Sequence, residues 1–275
     1  ISWQPTCGGT PVPTPTSTPT SNATSTPTAT SGTPSATSTA TAGAPSATRT
    51  PAPTFTPTAT PAACTVEFTD VPEGHTFYPF VRCLACRGIV QGYADGTFRP
   101  DNHVTRGQVS KIVSLSAGFA EVVPPTQQSF EDVPHGTTFW EYVERISTRG
   151  IIVGYPCSGA GEPCVPPENR PYFRPNAGAT RGQLIKIVEE SVGFSDVIPE
   201  TQYTFADVEP GHTFWIYVER LVLNRPTAIQ GYPCGGPGEP CDSENRPYLR
   251  PNNPVTRGQT SKVVSNTFFP ECSPP

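Results

Sequence analysis

The chain has 275 residues, with 36 prolines, nine cysteines, no methionine and a net charge of −5. It has no basic cluster, which argues against nucleic acid as a partner, and no apolar run approaches the ~18 residues of a membrane helix. Nine cysteines without a zinc pattern suggest an oxidising, extracellular setting. A first residue of isoleucine fits a chain whose signal peptide has been removed, or a fragment.

Residues 1–9 contain Trp3 and Cys7. They are either a processing remnant or an anchor that docks on another chain. Residues 10–63 are of low complexity, and positions 10–61 hold 19 threonines and 11 prolines. Such a segment cannot bury a core. Thr/Ser-rich sequence with proline reads as an O-glycosylated stalk, with Thr14, Thr16, Thr18, Thr28, Thr54, Thr56 and Thr58 as candidate acceptors. A flexible linker without glycan is the alternative. In polyproline II the segment would reach on the order of 150 Å. Asn22-Ala23-Thr24 also matches the N-glycosylation pattern.

From Cys64 the composition becomes that of a folded domain, and a repeat appears. Unit one has Phe68-Thr69-Asp70-Val71, Thr76-Phe77-Tyr78, Arg87-Gly88-Ile89, Gly92-Tyr93, Phe98-Arg99-Pro100 and Thr105. Unit two has Phe130-Glu131-Asp132-Val133, Thr138-Phe139-Trp140, Arg149-Gly150-Ile151, Gly154-Tyr155, Phe173-Arg174-Pro175 and Thr180. Unit three has Phe205-Ala206-Asp207-Val208, Thr213-Phe214-Trp215, Gly231-Tyr232, Leu249-Arg250-Pro251 and Thr256. The units divide the chain at 64–123, 124–198 and 199–275, behind a stalk of 1–63. Repeats of this kind bury their apolar faces against each other.

Each unit reads as two helices. The first follows Thr76, Thr138 or Thr213. Phe77, Phe80, Val81 and Leu84 recur at helical spacing, as do Phe139, Tyr142, Val143 and Ile146. Gly88 and Gly150 fit its C-cap. Trp140 and Trp215 lie on this helix, either as core or as a stacking surface for a sugar ring. The second helix starts at a motif found three times, Thr-Arg-Gly-Gln, at Thr105, Thr180 and Thr256, spaced 75 and 76 residues apart. Threonine followed three residues later by glutamine and an apolar run is a capping box. Arg106, Arg181 and Arg257 then sit on the first turn, beside N–H groups without intrahelical partners, a combination suited to an anion. A plain helix start is the alternative.

The intervening loop is short in unit one, Gly92–Pro100, and longer in units two and three. Each longer loop holds two cysteines with six residues between them, Cys157 and Cys164, then Cys234 and Cys241. A disulfide closing each loop is the simplest reading, restricting the unfolded chain by roughly 2–3 kcal/mol. Cys7, Cys64, Cys83, Cys86 and Cys272 remain, with pairings open. Cys83 and Cys86 have no second pair at ligand spacing, so stapling the domain to its flanks is preferred over redox or metal chemistry. An odd count leaves Cys7 free or bonded to another subunit.

No catalytic constellation stands out, and no cofactor or metal site. His75, His103, His135 and His212 form no triad, and His75 and His212 read as turn residues before a helix. Asp70, Asp132 and Asp207 recur in Phe-x-Asp-Val, as turn-formers or as ligands beside arginine.

Across about residues 66–270, the run Phe-x-Asp-Val, aromatic helix, Gly-Ile, Gly-Tyr-Ala-Asp-Gly-Thr-Phe-Arg-Pro and Thr-Arg-Gly-Gln resembles the S-layer homology (SLH) domain. The resemblance implies a mainly α fold, a pseudo-threefold trefoil of three helix-loop-helix repeats. It implies non-covalent anchoring to cell-wall polysaccharide, often bearing pyruvate ketals. It assigns ligand-facing roles in the inter-unit grooves to Arg106, Arg181 and Arg257 with Thr105, Thr180 and Thr256. The family's usual Ala-Glu after Thr-Arg is Gly-Gln here, and the cysteine-stapled loops would reshape grooves. Repeat one fits the family best, which singles out Arg106. The chain is therefore expected to be a secreted, non-enzymatic surface protein whose partners are wall glycan, copies of itself, or both. In a self-assembling form Trp3, Cys7 and the stalk would pack on the next subunit. The rival expectation is the wall-anchoring tail of a larger exported enzyme.

Overall fold

The structure, a computed structural model, describes residues 64–272. The described part is mainly helical, with isolated β-bridges instead of extended strands. Six α-helices form in chain order: α1 Tyr78–Cys86, α2 Arg106–Ser116, α3 Trp140–Thr148, α4 Arg181–Val192, α5 Trp215–Asn224 and α6 Arg257–Phe268. A short 3-10 turn, Pro270–Cys272, follows. Each unit thus contributes the two expected helices. Trp3, Cys7, Asn22 and the stalk threonines lie outside the described residues.

The Thr-Arg-Gly-Gln helices α2, α4 and α6 touch one another in the middle. The aromatic helices lie outside them, and each packs on the inner helix of the preceding unit: α3 on α2, α5 on α4, and α1 on α6. The third pairing closes the end of the domain on its beginning. At the centre, the residue before each capping threonine joins a cycle of backbone hydrogen bonds. Val104 N–H donates to Val255 O at 3.1 Å, Val255 to Ala179 O at 3.0 Å and Ala179 to Val104 O at 2.9 Å.

All three capping boxes are present. Thr105, Thr180 and Thr256 accept from the backbone of Gln108, Gln183 and Gln259, whose side chains bond back to the threonine N–H. Gly88 and Gly150 follow α1 and α3 with φ of 70° and 73°, the left-handed conformation expected of helix-ending glycines.

The glycine of each motif has a packing reason. A Cβ on Gly107, Gly182 or Gly258 would lie 2.3 Å from the ring of Phe139, Phe214 or Phe77 respectively. Those phenylalanines are the N-cap residues of the outer helices α3, α5 and α1. Inner and outer helices therefore meet ring against bare backbone. This contact accounts for glycine where the family usually has alanine.

Several buried hydroxyls of the inner helices bond to their own backbone, while those of Ser114 and Ser265 have no hydrogen-bond partner among the described residues. Ser110, Thr260, Ser261 and Thr267 donate to the carbonyl four residues back.

The disulfides resolve the open pairings. Cys157–Cys164 and Cys234–Cys241 close the two loops as expected. Cys64 pairs with Cys86, and Cys83 with Cys272. The two cysteines of α1 thus hold the segment before it and the C-terminal turn after α6.

Candidate functional site

Each inner-helix arginine reaches onto the loop of the following unit. Arg106 Nε donates to Phe173 O, Arg181 Nε to Leu249 O and Arg257 Nε to Phe98 O, each at 2.8 Å. Arg181 and Arg257 also reach the carbonyls of Gln230 and Gln91. The guanidinium of Arg106 lies over the rings of Phe173 and Tyr155, and that of Arg257 over Phe98 and Tyr93. Burial lowers all three guanidinium pKa values from the ordinary one.

Two sequence expectations change here. The helix N-termini are not open to an anion. Arg106 N–H donates to Ala177 O and Gly107 N–H to Pro175 O, both at 2.9 Å, and the same pair of bonds recurs at Arg181-Gly182 and Arg257-Gly258. With the third N–H held by threonine, the first turn is satisfied within the protein, so any anion must be met by side chains. Nor does Arg106 have the least altered surroundings. It faces the extended loop of unit two, whereas the short loop of unit one meets Arg257.

The repeated aspartates hold the loops. Asp70 accepts from the backbone N–H of Phe98 and Arg99, Asp132 from Phe173 and Arg174, and Asp207 from Leu249 and Arg250, at 2.6–2.7 Å. Arg99, Arg174 and Arg250 have φ of 59°, 61° and 57°, a left-handed conformation unfavourable for a side-chain-bearing residue. Two charge-assisted bonds from one carboxylate fix it. The aspartates are therefore turn-formers, not ligands.

The same arginines stack on the groove tyrosines, 3.9 Å over Tyr93, Tyr155 and Tyr232. Each also pairs with a loop carboxylate: Asp95, Glu162 or Glu239. In the long loops the disulfide encloses a tight turn, Gly159–Glu162 or Gly236–Glu239, that presents this glutamate. The insertions thus rebuild with a stapled turn the ion pair that unit one makes with Asp95.

One groove lies between Arg181, the unit-three segment Ile229–Tyr232, Gln259 and Lys262, with Phe77 at its edge; its volume is about 220 Å³. No residue between Cys234 and Cys241 lines it, so the stapled loop leaves it open. Lys262 Nζ donates to Gln230 Oε1 at 2.7 Å, and Arg181 donates to the carbonyl of the same residue at 3.1 Å. Burial, then the charge of Arg181, pulls the Lys262 ammonium below its usual range. Among the described residues neither cation has a carboxylate partner.

The Arg257 groove keeps the matching residues, Gln91 and Lys111, whereas the Arg106 groove differs. Beside Arg106 the counterpart of Gln230 is the exposed Val153. The counterpart of Lys262 in unit two is Lys186, 3.9 Å from Glu190. Lys111, Lys186 and Lys262 fall six residues after each capping threonine. That recurrence was the available signal for a second cation.

Trp140 is buried and Trp215 half-buried, and both spend the indole N–H on a linker carbonyl, of Gln127 and Gln202. Neither lines the Arg181 groove. His75 and His212 accept the backbone N–H of Phe77 and Phe214 through Nδ1, as residues of the turn before a helix. Among the described residues no group of three metal-ligating side chains occurs, and no helix is long and apolar enough to cross a membrane.

A cyclic set of helix-pair units, with an inner-helix arginine bonded to the loop of the next unit at each junction, defines a three-unit helical repeat protein. Residues 67–110 and 129–185, within units one and two, match the S-layer homology domain. Unit three lies outside the matched residues but has the same capping box, arginine contact and aspartate clamp.

The chain is 27% identical over 166 residues to the cellulosome-anchoring protein of Acetivibrio thermocellus, a match covering 56% of this chain and 34% of that protein. It is 43% identical over 54 residues to outer membrane protein alpha of Thermotoga maritima, 20% of this chain and 14% of that one. With outer membrane protein SlpA of Thermus thermophilus it shares 43% over 47 residues, 17% and 5% of the two chains. The matches thus span about a third or less of each relative.

Proposed function

We propose that this is a non-enzymatic cell-surface protein whose SLH units assemble as a pseudo-threefold trefoil and bind an anionic cell-wall glycan. The observation that carries the reading is the pair of cations, Arg181 and Lys262, facing one groove without a carboxylate between them. An acidic substituent on a sugar, such as a ketal carboxylate, would accept from Lys262 and from the remaining N–H groups of Arg181. The Arg106 groove is the weaker candidate, since Arg106 lies beside an apolar Val153, whereas the Arg257 groove repeats the Gln and Lys pair as Gln91 and Lys111. Thr105, Thr180 and Thr256 serve the site indirectly, by starting the helices that carry the arginines. Trp140 and Trp215 serve it by tying the linkers between units.

In this reading the Thr/Pro-rich segment is a glycosylated spacer at the cell surface. Trp3 and Cys7 are the residues through which copies of the chain would associate. A second reading, the anchoring part of a larger exported protein, is supported by the small share of each relative that the match occupies.

Co-sedimentation with purified wall polymer tests the groove. Arg181→Ala with Lys262→Ala should reduce binding at least tenfold, consistent with losing two charge-assisted bonds of about 1.5–3 kcal/mol each. The reading fails if this double variant binds as the parent does while remaining folded.

A further inference from the structure

A second cleft lies toward the other end of α4, where Glu189 stands about 12 Å along the helix from Arg181. It is bounded by Glu189, Glu190, Phe194, Tyr217, Arg149 and Arg220, with a volume of about 540 Å³. Glu189 is only 1% exposed, yet its Oε1 has no hydrogen-bond partner, and neither does the buried Oε2 of Glu190. The nearest cation to Glu189 is Arg220, whose guanidinium is 3.8 Å away, too far for a hydrogen bond. Arg220 spends its Nε on Asp196 O. Arg149 is already paired with Glu121 and lies over the ring of Phe119. Lys186 stands 3.9 Å from the other oxygen of Glu190, and the Tyr217 hydroxyl also bonds to this carboxylate, so Glu189 Oε1 is the more completely unmet acceptor. A buried acceptor left unmet costs about 1–3 kcal/mol, and native structures rarely leave two side by side.

We propose that this cleft is a second saccharide-binding subsite, in which hydroxyl groups of a neutral sugar donate to Glu189 Oε1 and Glu190 Oε2. Three features select this ligand class. The acceptors need donors, but Arg220 and Lys186 already supply positive charge, so a further cation is disfavoured. Arg149 and Arg220 have N–H groups on the rim that can donate to sugar oxygens. Phe194 and Tyr217 supply ring faces, giving the mixture of apolar wall and few convergent polar groups typical of small-ligand sites. The subsite does not depend on the Arg181 groove, from which about two helical turns separate it.

The repeat supplies a substitution compatible with the fold. Ser114 and Ser265 hold the position nine residues after the capping threonine where unit two has Glu189, and both are buried. The full chain, labelled for NMR, would be titrated with N,N′-diacetylchitobiose, with n-butylamine and with calcium chloride. The disaccharide should shift the amides of Gly193, Phe194 and Tyr217 and leave those of Gln230 and Tyr232 unmoved. Glu189→Ser should weaken this response at least tenfold with the remaining spectrum unchanged. No shift at Gly193 and Phe194 at millimolar disaccharide, an equal response in Glu189→Ser, or a response to butylamine or calcium in place of the sugar would each overturn the proposal.

Discussion

The aspartate of each Phe-x-Asp-Val does work that no neutral residue could match, since one carboxylate holds two consecutive N–H groups of a strained turn. Asp132→Ala should cost about 3 kcal/mol, from two charged hydrogen bonds lost; Asp132→Asn should cost less, and urea unfolding separates the two. Glu189 makes the opposite kind of contribution. Burial, opposed in part by Arg220, raises its pKa from 4.5 to about 7. Below pH ~4.5 the carboxyl is protonated folded or unfolded, and its ionisation costs nothing. As pH rises from there to 7 the unfolded form ionises first, so stability falls, then levels once the folded form ionises too. Glu189→Gln should therefore match the parent in Tm near pH 4 and exceed it at pH 8. A melting-temperature series across that window checks the sign.

At the scale of the helix, the Thr-Arg-Gly-Gln motif divides its labour. Threonine and glutamine start the helix, glycine admits the neighbouring phenylalanine, and arginine crosses to the next unit. Gly182→Ala would set a methyl 2.3 Å from the Phe214 ring, and overpacking of that kind costs typically 1–3 kcal/mol. Thr180→Ala should cost about 1 kcal/mol. If Gly182→Ala proves the milder change in thermal denaturation, the close packing of α4 on α5 is not what keeps glycine there. The capping boxes, both loop disulfides and the two helices per unit were legible in the sequence because each depends on residues near one another in the chain. The destination of the arginines was not. Whether Arg106 faces the loop of its own unit or of the next is decided by closure of the whole set, on which local spacing is silent. The apolar pattern of α6 was also faint, because Thr260, Ser261 and Thr267 are buried there through bonds to their own backbone. Lys262 escaped notice because a lone lysine on a helix usually belongs to a solvated face, and only the groove geometry sets it against Arg181.

At the scale of the whole domain, the bridge from α1 to the last turn and a loop bridge are unequal. Cys83–Cys272 spans 189 residues and Cys157–Cys164 spans seven. By loop-closure entropy the first restricts the unfolded chain by about 5 kcal/mol and the second by about 2.5 kcal/mol. Replacing both cysteines of the long pair with alanine should therefore lower the denaturation midpoint more than replacing the short pair, as measured in guanidinium with intact remaining bridges. The same bridge joins the last turn to α1, beside the segment that Cys64 ties down, so the two ends of the described region are neighbours. The cycle Val104, Ala179, Val255 carries this further, for it runs through three units and returns to its start. A ring has no first member. Joining residue 272 to residue 64 through a short linker and reopening the chain between units one and two should give a circular permutant that folds to the same domain. The amides of Val104, Ala179 and Val255 would then exchange with solvent together, at a single rate set by the opening of the entire ring.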